Sequence, residues 1–337
     1  MLWGHCIQYC ITGSGLDFFE NSVFRFIYSF HMPLFMLISG YLFHSTFSRR
    51  SLKELLVYRT QSLLQPIVFC SIFNYLVTTA LFGVLKGNLG VLVNGKWMAE
   101  LSSLWFLWSV LSASLATSLV CKLTDRLGIQ ILLFFLMIPF VAVFPNMERN
   151  LFMYPYFVLG FYYARYQDKL PAFVHKLRYL TLPLFPLLLR LFERKHYIYT
   201  TGLFPGDGYS LTDMVFIDGF RWFIGLVGSV FAITVLQLTY QHISVKLSKP
   251  LISRGLSALG RVSLQIYAFS VPFLSDYLYL VFKKSLVLFG TENIFTRNLF
   301  VYNYVFTLGL AVAYGIGLYL FVKILGKTKI SKLMFGK

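Results

Sequence analysis

Long apolar runs, separated by short charged or Gly/Pro-marked breaks, set the pattern of this chain. They cover about 26–47, 62–85, 102–121, 129–144, 151–166, 171–191, 214–240, 257–282 and 300–325. A bilayer core takes roughly 20 apolar residues as helix, so these runs predict transmembrane helices. The fifth and sixth runs are short and are expected to be tilted or partly irregular. Strands of a membrane barrel would alternate polar and apolar positions over roughly ten residues, and runs such as 131–140 do not alternate. The pattern predicts an all-α, polytopic integral membrane helical bundle of about ten transmembrane helices. Residues 1–12 supply the remaining helix. They rise only about 18 Å against a hydrocarbon core of about 30 Å, so this helix is expected to be a half-span or truncated, with its start before Met1.

Charge then orients the runs. The segments 49–59, 122–126, 165–178 and 246–261 and the tail from Lys323 hold 19 of the 30 Lys and Arg but three of the 13 acids. The positive-inside rule places them, and the C-terminus, in the cytoplasm of a cell whose plasma membrane holds the chain. The largest loop on the opposite side, 193–213, carries aromatics, acids and Pro-Gly turn signals. These suit a sugar-facing lip, and equally an interfacial aromatic belt, which is the simpler account of the aromatics alone.

Composition agrees with a membrane protein: 57% hydrophobic, 19% aromatic and 13% charged residues, with mean hydropathy +0.68. These values exclude a disordered chain and a secreted disulfide scaffold. The net charge of +17 does not make a nucleic-acid binder, because the basic residues punctuate apolar runs instead of covering a polar surface. Cys6, Cys10, Cys70 and Cys121 lie in apolar surroundings without CxxC spacing. They read as buried small hydrophobes, and neither a metal site nor a disulfide is expected. No removable signal peptide is expected. No repeat or linker divides the sequence, so a single domain over 1–337 is expected.

Ionisable groups at membrane depth are functional-site candidates. His5 lies seven residues before the end of the first apolar segment, and His31 about seven residues into the next. Antiparallel helices joined by one outer loop would hold the two imidazoles at similar depth. His31 precedes Met32-Pro33, so it either bonds a carbonyl freed by the proline or does chemistry. His5 stands beside Gly4 with no proline near, which favours chemistry, and a neutral imidazole is the commonest general base near pH 7. His44, His175, His196 and His242 fall at span ends or in loops and read as interfacial. Asp218 and Arg221, three apart at the start of a span, read as a local ion pair, and Asp276 lies toward the outer end of its span. The chain has no GxSxG elbow, P-loop, GxGxxG or zinc spacing. Arg49, Arg50 and Lys53 read as topology signals. Arg59, just before a helix start at Leu63-Leu64-Gln65-Pro66, could hold a phosphate-bearing donor.

Taken together, these segments resemble membrane-bound acyltransferase family 3, in its fucose 4-O-acetylase-like and polysaccharide O-acetyltransferase branch. The strongest stretch runs from Tyr28-Ser29-Phe30-His31-Met32-Pro33-Leu34-Phe35 to Ser39-Gly40-Tyr41-Leu42-Phe43. Trp3-Gly4-His5, Arg59, Leu104-Trp105-Phe106-Leu107, Pro155-Tyr156-Phe157-Val158-Leu159-Gly160 and Leu259-Gly260-Arg261-Val262-Ser263-Leu264-Gln265-Ile266-Tyr267 follow in the same order. The resemblance implies a membrane enzyme that moves an acyl group, usually acetyl from acetyl-CoA, to a hydroxyl of a sugar or surface glycan. The family's essential first-helix histidine maps onto His5, and its basic residue eleven positions earlier would fall before Met1. Its frequent Arg-x-x-Arg reads Arg59-Thr60-Gln61-Ser62 here, and Ser270 replaces a histidine many members carry.

On this basis His5 is expected to act as general base or transient acyl carrier, with His31 orienting it or polarising the oxyanion. Trp105 and Phe106 would exclude water, Arg59 would grip the donor's phosphates, and Ser39 would help bind substrate. The expected partners are an acyl-CoA donor, a sugar or surface-glycan acceptor and the lipid bilayer, with no nucleic acid and no bound cofactor. A glycan or small-molecule transporter with proton-relay histidines is the alternative, although no pair of related halves is visible. A non-catalytic membrane scaffold ranks third.

Overall fold

The computed structural model describes residues 1–11, 17–86, 96–206, 208–246, 249–272 and 298–335. Among these residues every regular element is helical. In chain order the helices are α1 (Leu2–Ile11), α2 (Ser22–Tyr28), α3 (His31–Ser48), α4 (Leu52–Arg59), α5 (Gln65–Lys86), α6 (Lys96–Ser103), α7 (Trp105–Leu123), α8 (Leu127–Leu136) and α9 (Ile138–Ala142). There follow α10 (Met147–Tyr166), α11 (Ala172–Leu177), α12 (Thr181–Arg190), α13 (Ile198–Thr201), α14 (Leu211–Lys246), α15 (Lys249–Pro272), α16 (Leu308–Leu325) and α17 (Lys329–Phe335). π-helical stretches, Thr60–Leu64 and Val301–Thr307, lead into α5 and α16.

Among the described residues four stretches are long and apolar enough to cross a bilayer: Ser22–Ser48, Trp105–Leu123, Leu211–Gln241 and Val301–Leu325. They coincide with four of the runs expected from the sequence. The run 129–144 divides into α8 and α9 at Met137, ahead of Pro139 at the start of α9. The run 171–191 is broken into α11, a 3-10 turn and α12. The run 151–166 lies within a continuous 20-residue helix, Met147–Tyr166, although Pro155 lies inside it. The far end of the run 257–282, with Asp276, lies outside the described residues.

The helices group into two compact units, and the chain passes between them more than once. One comprises Met1–Phe24, Gln65–Leu104 and Ser248–Lys337; the other comprises Arg25–Leu64 and Trp105–Leu247. In the first unit α1 packs on α16 and on the π-helical stretch before it, and α5 packs on α6, α15 and α17. In the second unit α3 and α10 form the most extensive contact, α7 packs on α10 and α4, and α14 packs on α12 and α3.

The α3–α10 crossing is close because both helices present glycine at the contact. A Cβ at Gly40 would land on the Phe157 carbonyl oxygen, and one at Gly160 on the Leu37 carbonyl oxygen. Apolar lipid gives no hydrophobic drive for helix association, so small residues that let backbones approach are how such contacts gain packing energy. Phe43, Phe157 and Phe161 fill the space beside this crossing, with ring centroids 5.5 Å and 6.0 Å from Phe43.

Candidate functional site

In the first unit, His5 sits on α1, partly buried, with its ring stacked 5.9 Å from Tyr9 and a hydrogen bond shared with Gln8. Polar contacts at membrane depth fix the helix that carries it. The Trp3 indole donates to the Asn303 carbonyl (3.0 Å) and to Thr307 Oγ1 (3.2 Å), and Tyr302 donates to the Ile7 carbonyl at 2.9 Å. The Asn303 side chain in turn accepts from Asn21 Nδ2 at 2.7 Å, while Asn21 Oδ1 caps Val23 and Phe24. The Trp3, Tyr302 and Asn21–Asn303 contacts meet in the π-helical stretch Val301–Thr307. π-bulges recur where a helix must present groups out of its ordinary register. Asn303 and Asn21 were not singled out from the sequence, although a lone amide inside the run 300–325 is the kind of intramembrane polar group that marks a site. Ser270 donates back to the Tyr267 carbonyl of its own helix at 2.9 Å.

The second unit holds His31, Ser39, Arg59, Trp105 and Phe106. His31 is buried at the start of α3, and its Nδ1 lies 2.9 Å from the Ile27 carbonyl. A carbonyl only accepts, so the proton is on Nδ1 and the neutral ring has its lone pair at Nε2. The helix breaks between α2 and α3 because Pro33 has no N–H for Ser29. The carbonyl that His31 serves is thus that of Ile27, at the end of α2, and not the one the proline frees.

Phe35 lies one turn beyond His31, and its ring meets Phe106 at 6.3 Å. Trp105 stands edge-on to Phe106 at 6.2 Å, with the Arg149 guanidinium 5.4 Å from its centroid. Ser39, a further turn along, donates to the Phe35 carbonyl at 2.8 Å. His31, Phe35, Ser39 and Phe43 therefore follow one another at four-residue intervals on α3.

Arg59 lies at the end of that series. Its guanidinium stacks 4.3 Å above the Phe43 ring and 6.0 Å from Tyr58, and its Nε is buried without a hydrogen-bond partner. Burial pushes its pKa down to about 10, so it remains a cation at neutral pH. Lys122 reaches the same aromatic group, 4.3 Å from the Phe47 ring. Twelve residues of helix separate Phe43 from His31, a rise of about 18 Å.

The loop between α12 and α14 is built around Arg221, which is 2% exposed. Asp218 Oδ1 pairs with it at 2.7 Å, as expected from their spacing. The same guanidinium also donates to the carbonyls of Gly202 (2.5 Å) and Lys195 (3.0 Å) and to Thr201 Oγ1. Gly202 has φ +68, and a Cβ there would also meet the Glu148 carboxylate. The left-handed backbone conformation therefore calls for glycine. His196 is buried in this loop, and its Nδ1 accepts from the Glu193 backbone N–H at 2.9 Å. Burial and the neighbouring Lys195 push its pKa down to about 4.

A neutral His196 makes the loop sensitive to acid. The unfolded histidine titrates near 6.5, so between there and about 4 the opened loop binds more protons than the closed one. The contribution is therefore full above pH 6.5 and declines as pH falls through that window. Limited proteolysis within 193–213 should accelerate several-fold from pH 7 to pH 4.5, and His196→Phe should flatten that dependence.

Helices long and apolar enough to cross a membrane fit an integral membrane enzyme, and the chain belongs to the acyltransferase-domain family, acyltransferase family 3, whose family model matches residues 1–322. Among curated proteins it is similar to nodulation protein NolL of Sinorhizobium fredii, 32% identical over 167 residues, which is 48% of this chain and 44% of that protein. It is likewise similar to nodulation protein NolL of Mesorhizobium japonicum, 30% identical over 166 residues, 48% of this chain and 43% of the relative. The chain thus spans less than half the length of these relatives. No solved structure matches it.

Proposed function

We propose that this protein is an integral membrane O-acyltransferase that moves an acetyl group from acetyl-CoA to a hydroxyl of a cell-surface sugar or polysaccharide. In this reading it crosses the plasma membrane about ten times as one functional domain over 1–337, with its C-terminus in the cytoplasm. The observation that carries the reading is the family match over residues 1–322, which runs through segments of both units.

The acceptor oxygen attacks the thioester carbonyl, the C–O bond forms, and the C–S bond breaks. The hydroxyl proton passes to a histidine and from there to the departing thiolate. His5 is the proposed base, or the carrier of the acyl group if transfer goes through an acyl-imidazole. His31 is the proposed group that polarises the developing oxyanion. In its neutral form it has no proton at Nε2 for an oxyanion, so polarising that charge would require the imidazolium. Arg59 binds the donor's phosphates, Ser39 hydrogen-bonds substrate on the path along α3, and Trp105 with Phe106 excludes water. The rise of about 18 Å from Phe43 to His31 supports this path. An extended pantetheine arm is suited to joining phosphates at the cytoplasmic end to a thioester deeper in the membrane.

The test is mass spectrometry of surface glycan from a host lacking its own copy, with and without this protein. Added acetyl esters that depend on the protein are expected, and an unchanged glycan contradicts the reading. Arg59→Gln is expected to raise the KM for acetyl-CoA about tenfold, as loss of one charge-assisted phosphate contact would, with acceptor KM unchanged. Initial rates of label transfer measure both.

A further inference from the structure

We propose that Tyr28 and Tyr199 form the sugar-binding subsite for the acceptor, with Arg221 as the positioning residue that holds Tyr199 in place. This rests on the acyltransferase reading above and deepens it, by naming where the acceptor docks.

Tyr28 stands edge-on to His31, with ring centroids 4.6 Å apart. Tyr199 stands edge-on to Tyr28 at 6.3 Å and 79°, and is itself 40% exposed. The three rings thus form a series from the loop to the histidine. Two phenol rings near a right angle make a corner. The Tyr199 ring face can cover the apolar C–H face of a pyranose, and the Tyr28 hydroxyl can donate to or accept from the sugar hydroxyls. A sugar seated there lies beside the His31 ring.

Tyr199 belongs to α13, a single turn that has no stability of its own. Its flanks are tied down by Arg221, which bonds Lys195 on one side and Thr201 and Gly202 on the other. Desolvating a guanidinium is costly unless its hydrogen bonds are met. An aromatic belt, which needs rings scattered at headgroup depth, has no use for such an anchor. A binding corner does, because stacking requires a fixed ring.

The test uses the protein in lipid nanodiscs and, as probe, oligosaccharides released from the host's surface glycan and de-O-acetylated with mild base. Saturation-transfer NMR reads binding without any turnover. Native protein and Tyr199→Phe are expected to bind alike, whereas Tyr199→Ala and Arg221→Gln weaken binding about tenfold, the scale of a lost aromatic contact. Label transfer should show the same rise in acceptor KM, with donor KM unmoved and kcat held within a few-fold. Arg221→Gln is compared only if it keeps native thermal stability; Tyr199→Ala carries the test otherwise. Absence of probe binding to native protein, equal binding by Tyr199→Ala, or an equal loss in Tyr199→Phe overturns the subsite. Binding that depends on Tyr199 without any label transfer supports the subsite and sinks the acyltransferase reading instead.

Discussion

His5→Ala is expected to remove acetylation of surface glycan while leaving the protein folded in the membrane. A positioned general base contributes about 10²- to 10⁴-fold, and loss of a covalent carrier would be more severe, so the variant should fall to the background of cells without the protein. The fold should survive because other side chains anchor α1. It is held by Trp3 through Asn303 and Thr307, and by Tyr302 through the Ile7 carbonyl. Base-labile acetate on purified glycan reads the activity, and thermal unfolding in detergent reads the fold. Retention of more than about a tenth of native acetylation, against the loss a positioned base implies, would remove His5 from the mechanism.

Gly40→Val should damage the second unit more than any polar substitution in it. The new side chain meets the Phe157 backbone and not a movable side chain, so α3 and α10 must separate along their length. Overpacking that forces backbone shifts costs about 1–3 kcal/mol, occasionally more, and this crossing is the unit's most extensive helix contact. We expect about 3 kcal/mol or more from SDS-titration unfolding. Gly160→Val, which meets the Leu37 carbonyl, should have a similar effect, and the double variant should lose less than the sum because both open the same contact. Gly128→Ala, with nothing near its added Cβ, serves as the control.

The positions of the apolar helices were legible because a run of roughly 20 apolar residues has few other uses. The breaks were not, because the runs 26–47 and 129–144 read as unbroken although Pro33 and Pro139 lie inside them. The sequence does not tell which carbonyl a side chain will take up when a helix breaks, and His31 proved to serve Ile27. The Asp218–Arg221 pair was readable from a spacing of three. The main work of Arg221 was not, because its other partners are backbone carbonyls and a hydroxyl in a preceding loop, 19 to 26 positions away. The Asn21–Asn303 contact spans 282 positions and carries no periodic signal. The aromatics of the 193–213 loop illustrate the same limit. The aromatics alone read more simply as a lipid belt, and only the ring contacts from Tyr199 through Tyr28 to His31 motivate the proposed sugar subsite.

The most direct test of acyl transfer is to place the purified protein in vesicles with acetyl-CoA labelled in its acetyl group and with de-O-acetylated host glycan. The account predicts label in base-labile ester linkage on the glycan, dependent on His5. Passage of unmodified glycan across the vesicle membrane, with no label above empty vesicles, would contradict it and favour transport.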